Sequence, residues 1–361
     1  MHKNESPMTK LDKYIILTFI PALLITAFIL LGIYLIVDIF QKLDDLLALE
    51  SQAVTLALNY YGLLLPVMIV RLFPAIVLIA VGFVLVKLNK ANELMAMQVS
   101  GVSMYRILLP LFAAVGVLSL MCMGNQELFI PAFADRLERF RTITFDESEI
   151  KDLLVEDESN SILLRAGKYD IVEETMHSIF ILKGQGENRL TTISAKEGKW
   201  IGDKTWYLTG LIINNYEGGK WIPPTETEET YFLETEIGPE DMREGERDPN
   251  LTSLFQLWKL AKKNPDNPRY PVFFQTRLSY PFIAPVLVLL GVPFIVGFER
   301  LRKNLFLSIS VLIAVVCGFF VFNIFCTNLG TTGNLHPVLA GWLPVMIFAI
   351  IGFIVLDWTK I

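Results

Sequence analysis

Neighbouring carboxylates are the first residues in this sequence that could carry out chemistry. Asp38, Asp44 and Asp45 follow the first long apolar run, and such groups can share the acid and base roles of a hydrolase. A solvated acidic rim beside a membrane span explains them more simply. The sequence also lacks the P-loop motif for ATP, the His-Glu-x-x-His zinc motif and the Gly-x-Ser-x-Gly elbow. We therefore predict that this chain is not an enzyme.

The cysteines and histidines do not follow the spacing of metal ligands. Cys122, Cys317 and Cys326 all fall inside apolar runs, where buried structural thiols are typical. The three histidines are far apart along the chain. The sequence therefore predicts neither a metal site nor a bound cofactor.

A polar stretch between two apolar runs, LNKANELMAMQVSGVSMYR (88–106), has a helical pattern. Asn92 can cap a helix whose first turn carries Glu93, which is favourable at the positive end of the helix dipole. Gly101 supplies a left-handed stop, and Ser103 can cap the apolar run that follows. The stretch therefore predicts a short helix, a break and the next span.

The short helix has a methionine-rich surface. Leu94 and Met97 line adjacent faces, with Met95 and Gln98 beside them. Because methionine is flexible and polarisable, such a surface suits a groove on a partner protein. A helix lying on the inner membrane surface would have the same pattern. The residues alone leave both interpretations open.

Apolar runs on both sides of this stretch predict membrane spans. The chain has 361 residues, of which 53% are hydrophobic and 19% are charged, against about 25% charged in soluble domains. Runs of about twenty apolar residues, enough to cross a hydrocarbon core of ~30 Å, recur along it. The predicted spans are Ile15–Val37, Pro66–Val86, Ile107–Gly124, Ser279–Phe298, Leu305–Thr327 and Pro337–Leu356.

Lysine and arginine in the short loops predict the orientation, because these residues accumulate on the cytoplasmic side. They are frequent in the N-terminal tail and in the loops after the second and fourth spans, and they are missing from residues 328–336. Both termini and the polar stretch are therefore predicted to be cytoplasmic. The long polar block between the third and fourth spans is predicted to lie outside.

That polar block, residues 126–271, has the pattern of a β domain. Its 18 Lys and Arg against 28 Asp and Glu argue against nucleic-acid binding. Alternation in SILLRAGKYDIV, SIFILKG, RLTTISAKEGKWIG, TWYLTGLIINNYEGGKWI and TYFLETEIG predicts the strands of a sandwich or jelly roll. LTSLFQLWKLAKKNPDNP then predicts a short amphipathic helix, capped near Thr252 and stopped by Pro265.

The predicted fold is a polytopic α-helical membrane protein with six transmembrane helices. A β-jelly-roll-like domain is inserted between the third and fourth helices. Residues 1–125 are expected to hold helices 1–3 and the short cytoplasmic helix at about 89–101. Residues 126–271 would form the inserted domain with its amphipathic helix, and residues 272–361 would form helices 4–6.

Several stretches, in order, resemble one family across nearly the whole chain. NELMAMQVSGVSMYRILLP resembles the cytoplasmic coupling segment of the LptF/LptG permeases of lipopolysaccharide export, and LDKYIILTFIPALLI resembles their opening. Further similar stretches are LPVMIVRLFPAIVLIAVGFVLVKLNKANELMAMQ, QELFIPAFADRLERFR, RLSYPFIAPVLVLLGVPFIVG and LHPVLAGWLPVMIFAIIGFIVL. YLIVDIFQKLDDLLA looks more like LptG than LptF. Some LptG chains carry a lysine where this one has Asp38, so a basic lipid contact is not carried over.

The resemblance implies a permease subunit of an ABC-type complex in the inner membrane of a Gram-negative type of bacterium. The implied partners are an LptF-like second permease, an LptB-like ATPase dimer that binds ATP and Mg, and LptC-like and LptA-like periplasmic jelly-roll proteins. Lipopolysaccharide would be extracted from the membrane into a cavity between the permeases and passed to a periplasmic bridge. The polar stretch would be a coupling helix in a groove of the ATPase. The implied coupling residues are Asn92, Glu93, Leu94, Met97 and Gly101, with Glu93 facing a basic residue and Leu94 and Met97 buried in the groove.

A lipopolysaccharide site would need an apolar cavity with cations near the headgroup level. Arg71 lies within the second span, about fifteen residues from Lys87, and at ~1.5 Å per residue this places it in the outer part. It should face the bundle interior or a wet cavity and bind phosphate, or else snorkel or pair with Asp38. The other candidates for phosphate binding are Arg136, Arg139, Arg141 and Arg277. Ion pairs along the helix, or snorkelling of Arg277 to the interface, are the alternatives.

Two other functional hypotheses stay open. The chain could be the LptF-type subunit of the same complex. It could also be a non-transporting membrane scaffold whose outer sheet adds strands to periplasmic partners. A transporter should lose function when Glu93 or the methionine surface is changed, and a scaffold should not.

Overall fold

A computed structural model describes most of the chain in two compact units, one mainly of long helices and one mainly of strands. The described residues are 10–48, 53–145, 149–157, 160–170, 173–184, 189–217, 220–222, 230–239, 242, 249, 251–263, 267–297 and 304–358.

Six of the described helices are long and apolar enough to cross a membrane, which confirms the predicted number. The long helices are α1 Lys10–Gln41, α3 Ala53–Lys90, α5 Met104–Gly124, α8 Arg269–Gly297, α9 Leu305–Thr331 and α10 Pro337–Trp358. The shorter ones are α2 Leu43–Ala48, α4 Glu93–Val99, α6 Ile130–Phe145 and α7 Leu254–Lys263. A π-helical turn, Asn125–Phe129, joins α5 to α6, so the third span continues beyond its predicted end.

Helices α3 and α8 form the centre of the helical unit, since both are buried along most of their apolar length. Small residues let their neighbours approach closely. A Cβ placed on Gly291 of α8 would lie 2.5 Å from Leu78 Cδ1 of α3. A Cβ on Gly341 of α10 would lie 2.7 Å from the backbone carbonyl carbon of Gln275 of α8. At Gly341 the backbones are therefore too close for a larger residue, whereas at Gly291 a larger residue would require the Leu78 side chain to move.

A proline in α3 creates a further tie between the two central helices. Pro74 has no N–H, so the carbonyl of Val70, four residues earlier, lacks its usual helical donor. The hydroxyl of Tyr280 of α8 donates to that carbonyl oxygen at 2.8 Å. A side chain of one span thereby satisfies a backbone group that the other span leaves free, as a membrane interior requires.

The second unit contains an antiparallel sheet of eight described strands. The strands are β1 Glu149–Asp157, β2 Ile162–Asp170, β3 Thr175–Gly184, β4 Arg189–Gly202, β5 Thr205–Thr209, β6 Ile212–Glu217, β7 Lys220–Ile222 and β8 Thr230–Glu234. Their order is β1-β2-β3-β4-β5-β8, and β6 pairs with β4 and β7. Strands β5 and β6 pair with successive parts of β4. The break between them falls near Gly210, whose φ of +68° favours glycine.

The inserted β domain is therefore confirmed, and β4 matches its predicted segment. The first strand was missed, because EIKDLLVED has two leucines and a valine in a row and so breaks the alternation. Strands β1 to β5 pair in the order in which they occur along the chain, as in a meander, whereas β8 pairs with β5 and β6 pairs with β4. The jelly-roll arrangement of the domain stays a prediction.

Strands β1 and β8, which stand at the two ends of the strand order, are joined by hydrogen bonds. Asp157, the last residue of β1, accepts hydrogen bonds from the Thr235 hydroxyl (2.7 Å) and the Glu236 backbone N–H (2.9 Å), which follow β8. The side chain of Asn160 donates to the same carboxylate at 2.8 Å. The sheet must therefore coil on itself at this end. Burial raises the pKa of Asp157, but the hydrogen bonds outweigh burial and hold the pKa below its ordinary value.

Candidate functional site

The polar stretch between α3 and α5 folds into a short helix between two breaks, as the sequence predicted. Helix α4 ends before Gly101, whose φ of +89° provides the left-handed stop. The N–H groups of Gly101 and Val102 donate to the carbonyls of Gln98 (2.9 Å) and Met97 (3.1 Å). The hydroxyl of Ser103 accepts the backbone N–H of Arg106 at 3.4 Å, the predicted cap of α5. These contacts give the stretch a defined shape.

The capping role predicted for Asn92 is wrong. Its backbone is itself left-handed, with φ 59° and ψ 13°, and its side chain makes no capping hydrogen bond. A side-chain cap needs an extended backbone at that position, which Asn92 does not have. Asparagine tolerates the left-handed region better than most residues. Asn92 therefore makes the turn from α3 into α4 instead of capping it.

The side chains of α4 divide into an anchored face and an exposed face. Leu94 is buried within its own chain, so the prediction that it faces a partner is wrong. Met97 is half-buried. Met95 is 58% exposed and Val99 is 84% exposed, and at i and i+4 they lie side by side. Val99 was not among the predicted coupling residues, although its spacing from Met95 could have identified it.

Helix α1 holds both ends of the polar stretch. The hydroxyl of Tyr14 donates to Glu93 Oε2 at 2.6 Å. The guanidinium of Arg106 contacts the buried carboxylate of Asp12 through two atom pairs, Nη1–Oδ1 at 2.8 Å and Nη2–Oδ2 at 2.9 Å. Such two-point Arg–carboxylate contacts fix orientation as well as position. The start of α4 and the start of α5 are therefore both fastened to α1.

A second polar cluster lies near the opposite ends of α5 and α8. The Arg277 side chain of α8 is 4% exposed, and its Nη1 lies 3.5 Å from Glu127 Oε1. It also donates to the carbonyl of Thr252 and, at 3.0 Å, to that of Pro249. Glu127 Oε2 in turn accepts the backbone N–H of Leu254 at 2.7 Å. Arg277 is thus committed to its own chain, and both snorkelling and phosphate binding are wrong for it.

This cluster fixes the beginning of α7. The hydroxyl of Ser253 accepts the Gln256 backbone N–H at 3.2 Å, and Gln256 Oε1 accepts the Ser253 N–H at 2.9 Å. Such a reciprocal capping box satisfies two donors at a helix start. The cap predicted near Thr252 is therefore the next residue, Ser253, and the Thr252 residue itself is buried. Pro265, the predicted stop, lies outside the described residues.

The other candidate arginines belong to helices α3 and α6. Arg71 of α3 is exposed, so a place inside this chain's own bundle is wrong for it; the buried neighbours on α3 include Val70 and Phe73. Arg136 of α6 is also exposed. Arg139 and Arg141 belong to α6, but their side chains lie outside the described part.

Among the acidic residues after the first span, the structure describes the side chains of Asp38 and Asp44. Asp38 Oδ2 lies 3.6 Å from Lys42 Nζ. Lys42 also donates to the Tyr60 hydroxyl at 2.7 Å. Asp44 is exposed, and the Asp45 side chain is not described. Asp38 therefore has a cation beside it, as a structural ion pair requires.

The thiols and possible metal ligands are dispersed. Cys122 and Cys326 are buried as predicted, but Cys317 of α9 is exposed. In the described ranges, no group of three or more His, Cys, Asp or Glu side chains could hold a metal ion.

Comparison with known proteins places these features in one family. The model described as "Lipopolysaccharide export system permease LptF/LptG" matches residues 13–358. No curated protein matched the chain. The matched range includes α4, its contact with Tyr14 and the Arg277 cluster.

Proposed function

The chain belongs to the LptF/LptG family of lipopolysaccharide export permeases, and from this premise we propose that α4 couples it to a separate ATPase. The exposed pair Met95 and Val99 carries this proposal. Two apolar side chains on a helix fastened at both ends offer a preformed anchor for a hydrophobic groove. The nucleotide and Mg would be bound by an LptB-like ATPase dimer, since this sequence has no P-loop.

Glu93 contributes to this coupling in one of two ways. Its carboxylate already accepts the Tyr14 hydroxyl, and this contact positions α4 against α1. The second carboxylate oxygen can still accept a donor from a basic residue of the ATPase. The first role needs only an acceptor, whereas the second needs the negative charge. The two roles therefore predict different results for a neutral replacement.

The subunit and its membrane setting are part of the same proposal. The stretch YLIVDIFQKLDDLLA, in α1 and α2, favours an LptG-like subunit paired with an LptF-like one. The distribution of Lys and Arg favours cytoplasmic termini and a β domain in the periplasm. The protein itself would lie in the inner membrane. LptC-like and LptA-like proteins would receive the lipid from the complex. An LptF-type subunit of the same complex is the alternative assignment.

The exposed arginines suggest where the lipid enters. Arg71 lies on a membrane-spanning helix, where a lipid-facing guanidinium is costly. Since it faces away from this chain's interior, a cavity shared with the second permease would be a favourable place for it. Lipopolysaccharide phosphate could bind in this cavity. Arg136, near the end of the third span, would belong to the same phosphate site. Arg277 has no part in this site, because it is buried and its guanidinium donates to two carbonyls of its own chain.

Co-purification with the LptB-like ATPase tests the coupling proposal. Val99→Asp and Met95→Asp change exposed side chains and should leave the fold intact. Losing an anchor in a desolvated groove costs about 2 kcal/mol, or roughly a thirtyfold weaker association. Val338→Asp is the matched control, because Val338 is an exposed apolar residue at the start of α10. Retention of the ATPase by all three variants would contradict docking through α4 and favour the scaffold hypothesis.

A second pair of variants separates the two roles of Glu93. Glu93→Gln keeps an acceptor for Tyr14 and removes the charge, whereas Tyr14→Phe removes only the internal hydrogen bond. If the charge contacts the ATPase, Glu93→Gln should lower ATPase-coupled lipid release more than Tyr14→Phe does. The reverse order would show that Glu93 acts only by positioning α4.

A further inference from the structure

Helix α7 begins at the membrane boundary opposite α4. At ~1.5 Å per residue, Glu127 lies about 35 Å along the third span from Met104, and Arg277 lies about 30 Å along α8 from Gly297. Both lengths match a hydrocarbon core of ~30 Å. The lengths measured along the third span and along α8 therefore both place the contact between Glu127 and Arg277 at the far membrane boundary. Leu254, bonded to Glu127, starts α7 at this level.

One face of α7 is packed and another is exposed. Leu257 is buried. Phe255 is 71% exposed and Trp258 is 48% exposed, and their ring centroids are 6.1 Å apart in a stacked arrangement. The ammonium of Lys262 lies 5.5 Å from the centroid of the Trp258 ring. Positions i, i+3 and i+7 share one side of a helix. The exposed face, defined by Phe255, Trp258 and Lys262, therefore combines two aromatic rings with a cation.

This composition fits the headgroup region of a bilayer. Tryptophan, whose ring has a polar edge, concentrates where hydrocarbon meets water. Phenylalanine side chains of interfacial helices insert into the same region, and lysine stems lie along it with the ammonium in water. The exposed Lys259 adds a second cation beside the exposed face. A ten-residue helix is only ~15 Å long, so its two exposed rings alone offer far less than the ~800 Å² per partner of a stable protein interface. Position, charge and size thus favour lipid over a protein partner.

We propose that the exposed face of α7 lies in the membrane interface and binds the phosphate groups of anionic phospholipids. Phe255 and Trp258 enter the interface, and Lys262 remains at the phosphate level. The neighbouring Lys259 adds attraction for anionic lipid. This inference needs only that the long helices cross a membrane, so it is independent of coupling to the ATPase.

Quenching by brominated lipids tests the position of Trp258. The full-length protein is placed in nanodiscs of phosphatidylcholine and phosphatidylglycerol in equal parts, with bromine on one lipid at a time. The fluorescence that Trp258 contributes is obtained by subtracting the emission of the Trp258→Phe variant from that of the native protein. Brominated lipid should quench this difference, and aqueous acrylamide should not. Trp200→Phe is the control, since Trp200 packs against Trp206 within the sheet.

The same discs test the lysine. Bromine on phosphatidylglycerol should quench Trp258 more strongly than bromine on phosphatidylcholine. Lys262→Gln should reduce this preference by up to about fivefold, the effect expected of one cation at an anionic surface. Lys204→Gln, which removes an exposed lysine of the β domain, should leave it unchanged.

Two results would overturn the inference. Quenching of the Trp258 difference by acrylamide, and not by brominated lipid, would place the exposed face in water. Equal quenching by both brominated lipids in the native protein would show that the face does not select anionic headgroups.

Discussion

Replacing Arg277 by methionine should release α7 from the helical unit. The substitution keeps an unbranched apolar side chain in place and removes the guanidinium that contacts Glu127 and two backbone carbonyls. These are the contacts that connect the segment before α7 to α8. The effect should therefore be local to the start of α7 before it is global.

The magnitude follows from burial. Removing one member of a buried ion pair costs about 3–5 kcal/mol, because the other charge and its neighbours lose their partner. Glu127 keeps the Leu254 N–H and is partly exposed, so the lower end of this range applies. The control is Lys204→Met, which breaks a shorter contact, 2.7 Å, to Glu236 on the surface. Exposed pairs contribute about 0–1 kcal/mol. If distance alone decided the strength of these contacts, Lys204→Met would destabilise the protein more than Arg277→Met.

Limited trypsin digestion measures the release. Lys259 and Lys262 lie on α7, so cleavage after them reports its local opening. When opening is fast relative to cleavage, about 3 kcal/mol corresponds to cleavage on the order of a hundredfold faster. The control Lys204→Met should leave cleavage of α7 at the native rate. Equal rates for Arg277→Met and the native protein would refute the claim that burial makes this cluster strong.

Two further substitutions test packing and charge in the rest of the chain. Alanine in place of Gly341 would put a Cβ 2.7 Å from the Gln275 backbone, so it should lower the melting temperature, although alanine favours helix by about 1 kcal/mol. Gly116→Ala, with nothing within 4 Å of the added Cβ, should not lower it, and a loss at both positions would contradict the packing argument. Asp157→Asn should destabilise the full-length protein by about 2 kcal/mol at neutral pH, because hydrogen bonds to a buried charged acceptor are lost. Since the folded-state pKa of Asp157 lies below its ordinary value of 3.8, its stabilisation is complete above that value and is lost as the pH falls through the folded-state pKa. Chemical unfolding from pH 7 to pH 3 should therefore show the difference between native and variant shrinking below about pH 4, and a constant difference would contradict it.

Hydropathy predicted the number of spans because a hydrocarbon core demands a minimum length of apolar sequence. It did not predict their ends. Helix α1 begins at Lys10 and α8 at Arg269, before the predicted starts at Ile15 and Ser279. Helical backbone hydrogen bonds do not require apolar side chains, so a helix can extend into polar sequence beyond the hydrocarbon core. Alternation predicted β4 over its full length, but it missed β1, where alternation fails. Alternation is therefore dependable where burial imposes a period of two along a strand.

The candidate site was predictable only where one residue decides its own conformation. Gly101 and Ser103 behave as their residue types suggest, because a left-handed stop and a helix cap need few distant contacts. The partner of Glu93 is 79 residues away along the chain, and that of Arg277 is 150 residues away. Such pairings depend on how the helices pack. Burial of Leu94 is also decided by packing, so its predicted role failed.

Helix α5 connects the two clusters, and its composition indicates how motion would pass between them. Arg106 near its start is held by Asp12 of α1, and no charged side chain follows until Glu127. The intervening length therefore has no ionic side chain, and near its far end the Asn125 side chain donates to the Pro66 carbonyl of α3 at 3.1 Å. Near its far end lies the π-helical turn, Asn125–Phe129, a feature often found at functional sites. If an ATPase moves α4, the displacement would travel along α5 and be absorbed at this turn. Arg277 would meanwhile keep α7 fixed to α8 at the membrane boundary.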